Sequence, residues 1–228
     1  MSVIVQVAQS TLKAVIDLIY PPFCHICDHP LEDDSHICES CLQNFQMQEG
    51  AHEEFSVSGE IFINKAWALF EFDDAFQKLI HNLKYSGKRK SVLAVLDYYE
   101  EEITQLLRDV NYDWVLPVPL HPRKERERGY NQVADICGWL ALRLGAHVNT
   151  WLVDRVKYTK TQTKLSAEER QKNMLEAFHV KATEEVKDSS ILIVDDVITT
   201  GATANTLAQA LRLAGAKKID LISLSSPK

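Results

Sequence analysis

The string Ile191-Leu192-Ile193-Val194-Asp195-Asp196-Val197-Ile198-Thr199-Thr200-Gly201-Ala202-Thr203 decides how this 228-residue chain folds. Four apolar residues make a buried strand. Two adjacent carboxylates follow at its carboxyl end, the edge of a parallel sheet at which ligands bind. Small hydroxyl residues and a glycine then lead straight into a helix. Gly201 permits a tight turn and a close backbone approach. N–H groups at the helix start, with threonine hydroxyls beside them, favour a phosphate. Carboxylates next to a phosphate cradle would repel the phosphate itself. They make sense facing sugar hydroxyls, or a Mg²⁺ held by those hydroxyls, so the ligand is a ribose 5-phosphate with free 2′ and 3′ hydroxyls. The bland alternative, an N-cap threonine and two solvated aspartates, leaves the length and order of the string without a reason.

Outward from this string the pattern alternates strand and helix. Strands are expected at 114–119, 148–153, 191–194 and 219–224, and helices at 131–144 and 203–214, with Gly215 as a stop. Short apolar strands separated by helices imply an α/β fold, a parallel sheet with helices on both faces. Upstream, 67–72 reads as a strand, and 74–83 and 91–108 as helices. Residues 3–20 read as an amphipathic helix stopped by Pro21-Pro22, and 45–64 as a polar loop or linker. The expected organisation is an N-terminal helix and small module over 1–50, a connecting α+β segment over 51–110, and the core over 111–228.

The N-terminal module holds four of the five cysteines, as Cys24-x2-Cys27-x10-Cys38-x2-Cys41. Two such knuckles present four thiolates tetrahedrally to one Zn²⁺. The segment is too short and polar to build a core, so the metal supplies its folding energy. Two disulfides are disfavoured in a cytosolic chain, and a redox motif needs one CxxC opening a helix rather than a matched pair. His25 and His36 stand beside the cysteines as substitute ligands, although four cysteines already fill the shell. Cys137, on the expected helix 131–144, reads as packing.

The chain is acidic overall, at −7, yet fifteen of its 25 basic residues fall in 78–90, 123–128 and 155–172. Those segments contain four acids and carry +11, which leaves −18 elsewhere. Positive charge concentrated in this way points to an anionic ligand, where any one segment alone would read as a solvated face. No apolar run approaches the roughly 18 residues of a membrane span. No basic stretch precedes an apolar block at the N-terminus, so the expected location is the cytoplasm.

The string at 191–203 resembles the signature by which type I phosphoribosyltransferases bind 5-phosphoribosyl-1-pyrophosphate (PRPP). The resemblance implies that Asp195 and Asp196 engage the ribose hydroxyls, and that Thr199, Thr200, Gly201, Ala202 and Thr203 hold the 5-phosphate. More narrowly, LIYPPFCHIC…CESC at 18–41, LIHNLKYSG at 79–87, LPVPLHPRKERERGYNQ at 116–132 and RVKYTKTQTKLSAEERQKN at 155–173 resemble the ComF family. That family joins an N-terminal zinc module to a phosphoribosyltransferase domain and is associated with bacterial competence and DNA uptake.

By position in such a fold, 117–132 is the candidate pyrophosphate loop, with Arg123, Lys124, Arg126 and Arg128 as its cations. Arginine forks match phosphate oxygens. The stretch 155–173 is polar and too long for a simple connector. The resemblance makes it a mobile loop closing over PRPP through Arg155, Thr159, Gln162, Leu165, Arg170 and Asn173. Lys84, Lys88 and Arg89 either join the same anion site or extend a nucleic-acid track, and Tyr85 either stacks on a base or packs.

In a transfer reaction pyrophosphate would leave through an oxocarbenium-like state. Asp195 and Asp196 would orient the ribose, while Mg²⁺ and arginines, Arg155 and Arg170 among them, would stabilise the departing charge. No base for an acceptor and no hood selecting a nucleobase can be recognised. Three readings follow: a PRPP-binding competence protein handling incoming single-stranded DNA with partner DNA-processing proteins, a phosphoribosyltransferase of amidophosphoribosyl type, or a PRPP-sensing regulator without turnover.

Overall fold

The computed structural model describes residues 21–48, 50, 60–85, 87–156 and 177–227. Its centre is β6 (Ser190–Val197), whose residues 191–194 are all at most 1% exposed. Alternate residues of a strand point to opposite faces. Ile191 and Ile193 accordingly pack in one apolar cluster with Leu207, Ala208 and Leu211 of α8 (Ala202–Leu213). Leu192 and Val194 pack in the other, with Ile136, Cys137 and Leu140 of α6 (Ala134–Leu144). Coverage of both faces is why this strand reads as a continuous apolar run.

Five strands form the sheet in the order β1-β7-β6-β2-β3, all parallel. They are β1 (Lys65–Phe70), β2 (Trp114–Pro117), β3 (His147–Val148), β6 and β7 (Lys218–Ser225). β2 and β7 flank β6, with Pro117 opposite Val194 and Ile222 on its other side. β1 pairs with β7 from Lys65 to Phe70. Three helices follow β1 and join the same cluster as α6: α2 (Asp74–Tyr85), α3 (Arg89–Tyr98) and α4 (Glu100–Leu107).

Several elements depart from the sequence reading. The expected helix at 91–108 is interrupted at Tyr99, where φ is −106° and ψ 26°. The Tyr99 hydroxyl donates to the carbonyls of Leu42 (2.9 Å) and Phe45 (2.6 Å), and its ring packs edge-on against Phe70. The expected strand at 148–153 is split. Of it only Val148 stays in the main sheet, in β3 with His147, and the chain then leaves the sheet to form β4 (Val153–Arg155), antiparallel to β5 (Phe178–Val180). The expected loop after β2 contains a short helix, α5 (Pro122–Arg128). One further turn, α7 (Thr183–Val186), precedes β6.

The cysteine-rich segment is docked on the helices. Its only helix, among the described residues, is α1 (Glu39–Gln43). Cys24, Ile26, Ile37, Cys41 and Phe45 share the cluster of α2 and α3. Lys78 Nζ donates to the carbonyl of Ile26 at 3.0 Å, and Asn82 Nδ2 to that of His25 at 2.9 Å. Residues 46–48 run beside β1, through Gln48 N–H to Leu69 and Glu71 N–H to Gln46. The expected helix at 3–20 lies outside the described residues. No helix among the described residues is long and apolar enough to cross a membrane.

Candidate functional site

At its carboxyl end β6 delivers Asp195 and Asp196 between β2 and β7. The two are not equivalent, although the sequence reading gave both the same role at the carboxyl end of the strand. Asp196 is 6% exposed. One of its oxygens, Oδ2, accepts from Gln132 Nε2 at 2.7 Å and pairs with Lys84 Nζ at 2.9 Å. Its other oxygen accepts from the Val197 N–H at 2.8 Å. Asp195 is half-buried, and its Oδ1 accepts from the Asp196 N–H at 2.8 Å. Burial, reinforced by the neighbouring Asp196 charge, pushes the Asp195 carboxyl up to about 7, against the attraction of Lys84 and Arg155.

Asp195 also lines a pocket of about 60 Å³ with residues 197–204, which include Thr199, Thr200, Gly201, Ala202 and Thr203. That volume exceeds the roughly 10–15 Å³ needed to admit one water. Gly201 has φ of 75°, the left-handed conformation glycine adopts without strain, and it is the residue from which α8 starts. Thr200 Oγ1 accepts from the Ala202 N–H at 3.3 Å, which tightens the turn. The first-turn N–H groups of a helix have no intrahelical acceptor, so the pocket offers donors and a positive helix end to an anion. Carboxylates on one side and a donor cradle on the other suit a ligand carrying hydroxyls at one end and a phosphate at the other.

The basic candidates fall in different places. Lys84 pairs directly with Asp196. Arg155 ends β4, with its guanidinium 5.6 Å from the Phe178 ring centre, and its charge acts on Asp195. α5 is built without a buried residue: Pro122 starts it, His121 Nδ1 accepts from the Arg123 N–H at 3.2 Å, and Gly129 ends it at φ 79°. On it Arg123 pairs with Glu127 at 3.0 Å, Arg126 is exposed, and Arg128 lies 5.7 Å from the Tyr85 ring. Arg170 and the rest of 157–173 lie outside the described residues. Gln132 was not among the ligand candidates, and its buried bond to Asp196 makes it part of the site. The available signal was its place in Gly129-Tyr130-Asn131-Gln132, just before a helix.

The four cysteines Cys24, Cys27, Cys38 and Cys41 have sulfurs all within 4.8 Å of one another, and those of Cys27 and Cys38 are 3.7 Å apart. A tetrahedron with Zn–S near 2.3 Å has edges of about 3.8 Å, so the set fits one Zn²⁺. All four are free thiols. The Cys38 N–H points at Cys24 Sγ, 3.4 Å away. His25 and His36, considered as substitute ligands, stack on each other at 5.5 Å, and His25 Nδ1 meets Ser91 Oγ of α3.

Two domain models match separate parts of the chain. A double zinc ribbon domain model matches residues 15–52, and a phosphoribosyl transferase domain model matches residues 139–227. Competence protein F of Haemophilus influenzae is 30% identical over 210 residues, covering 90% of this chain and 84% of that protein. The chain belongs to the ComF family. The DNA utilization protein YhgH of Salmonella typhimurium is 28% identical, over 90% of this chain and 96% of its own length. The competence protein ComFC of Bacillus subtilis is 20% identical, over 82% and 77%. In this ComF chain the fold is thus a phosphoribosyltransferase-type parallel sheet, and the four-cysteine cluster is its structural zinc centre.

Proposed function

We propose that this ComF protein binds PRPP at the carboxyl end of β6 and uses that site in handling single-stranded DNA during natural transformation. The observation that carries the first half is the shared pocket of Asp195 and residues 199–203, with Asp196 held beside it. The ribose hydroxyls would meet Asp195 and Asp196, and the 5-phosphate would meet Thr199, Thr200, Gly201, Ala202 and Thr203. Mg²⁺ would lower the charge of the pyrophosphate where it passes the carboxylates. Lys84, paired with Asp196, and Arg155, whose charge acts on Asp195, would accompany that pyrophosphate. Arg123, Arg126 and Arg128 of α5, and Arg170, are assigned to the same role from their sequence positions.

The second half is supported by the names of the relatives, competence protein F and DNA utilization protein, and by the +11 concentrated in three segments of an acidic chain. Zinc-ligating cysteines suit a reducing compartment, and the cytoplasm is the location we propose. The test is a calorimetric titration with PRPP, with and without Mg²⁺, beside a titration of a single-stranded oligonucleotide. Saturable, Mg²⁺-dependent heat with PRPP supports the site, and the absence of any heat refutes it.

A further inference from the structure

Beside the aspartates, the carboxyl end of α2, the start of α3 and the end of α5 converge on one face. Tyr130 links them, since its hydroxyl donates to the Leu83 carbonyl at 2.6 Å while Arg89 lies 5.0 Å from its ring centre. The most exposed aromatic there is Tyr85, 69% exposed on the last turn of α2. The Arg128 guanidinium stands 5.7 Å from its ring centre and the His81 imidazole 5.1 Å. Lys84, the residue before it, pairs with Asp196. The Tyr85 ring thus offers a solvent-facing aromatic face with a guanidinium beside it, the pair of features that a base and its phosphate meet.

We propose that Tyr85 is a base-stacking platform at the mouth of the PRPP site, and that the strand it receives runs its phosphates along Arg128, Arg126, Lys88 and Lys90. This rests on the reading that the protein handles DNA and names the surface that does so. Among the described residues, the acids near these cations are already engaged or lie at a helix start. Glu127 is engaged by Arg123, Asp135 by Arg89, and Glu125 lies in the first turn of α5. A phosphate backbone complements what remains. An aromatic face can stack only on an unpaired base, which selects a single strand over a duplex. Two neighbouring side chains divide the work: the Tyr85 ring serves the strand, whereas Lys84, one residue away, pairs with Asp196 and serves the sugar phosphate, with Arg126 and Arg128 common to both ligands.

Fluorescence anisotropy with labelled oligothymidylate tests this on the full chain, comparing wild type, Tyr85→Ala, Tyr85→Phe and Arg126→Met across a range of salt. Tyr85→Ala should weaken binding about tenfold, as loss of one stacked base does. It should leave the salt dependence and the PRPP heat unchanged, because the ring carries no charge. Tyr85→Phe should bind as wild type. Arg126→Met should lower the slope of log K against log salt by about 0.7, the value for one phosphate on a single strand. Wild-type binding with no loss in Tyr85→Ala would overturn the platform and leave DNA handling standing. No binding even at low salt would overturn both. An oligoglutamate peptide held with the same dependence on Tyr85 would reassign the face to an acidic protein segment and overturn the proposal.

Discussion

Lys84 Nζ lies 2.9 Å from Asp196 Oδ2, so the last turn of α2 is tied to the carboxyl end of β6. The Lys84 side chain is 21% exposed and that of Asp196 9%. α2 also carries Lys78 and Asn82, four residues apart and so on one face, which bond the backbone of the zinc module. One helix thus contacts both the cysteine-rich module and the aspartate pair at the end of β6.

Lys84→Met leaves the Asp196 carboxylate with Gln132 and one backbone N–H as partners. The expected cost at neutral pH is about 2 kcal/mol, below the range for a fully buried pair because Lys84 is partly solvated. Adding Asp196→Asn should recover most of it. Chemical denaturation of both singles and the double gives the coupling. Additive effects would mean the pair contributes nothing to stability.

The zinc prediction reaches further than the module. Elemental analysis should give about one zinc per chain, the count one four-cysteine site takes. Cys24→Ser, Cys41→Ser or a strong chelator should lower the melting temperature of the whole protein, because Cys24 and Cys41 are buried in the cluster of α2, α3 and α6. A chelated protein with four free thiols and an unchanged melting temperature would contradict this.

Asp195 provides a pH test. Its folded value, about 7, is raised above the ordinary 3.8, so the native state holds the proton more tightly than the unfolded chain. Its contribution is fully present below pH 3.8 and is lost as pH rises through about 7. Asp195→Asn keeps an acceptor for the Asp196 N–H and carries no charge. In the ligand-free protein its melting temperature relative to wild type should therefore rise from pH 5 to pH 8. A difference that does not vary with pH would remove the proposed cause.

How much of this was legible before the structure depends on the element. The strand, turn and helix around Asp195 were read within a few residues: 191–194 and 203–214 against β6 at Ser190–Val197 and α8 at Ala202–Leu213. Two buried faces and a glycine turn leave a strong local signal. α5 was read as a loop because PRKERER has no apolar residue and hence no periodicity. Its signals were its ends, Pro122 and Gly129. The break of 148–153 was hidden because β4 is three residues long and finds its partner at Phe178–Val180, far along the chain. The break at Tyr99 depends on carbonyls of Leu42 and Phe45, which no local pattern specifies. At the site, the adjacent carboxylates were plain, but their inequality was not. It arises because Lys84 and Gln132, from elements 112 and 64 residues away, both settle on Asp196.

The measurement that bears most directly on the central claim is calorimetric titration of PRPP with Mg²⁺ into wild type and Asp195→Asn/Asp196→Asn. Thr203→Val is the second variant, because Asp196→Asn also strips Lys84 of its partner. Melting temperatures establish that each variant is folded. The account predicts Mg²⁺-dependent binding in wild type. In the double variant it predicts a loss of at least about 2 kcal/mol, as expected when charge-assisted bonds worth about 1.5–3 kcal/mol each are removed. Thr203→Val should show a smaller loss, without altered Mg²⁺ dependence. Equal affinity in wild type and in folded variants would contradict the assignment of this site to PRPP.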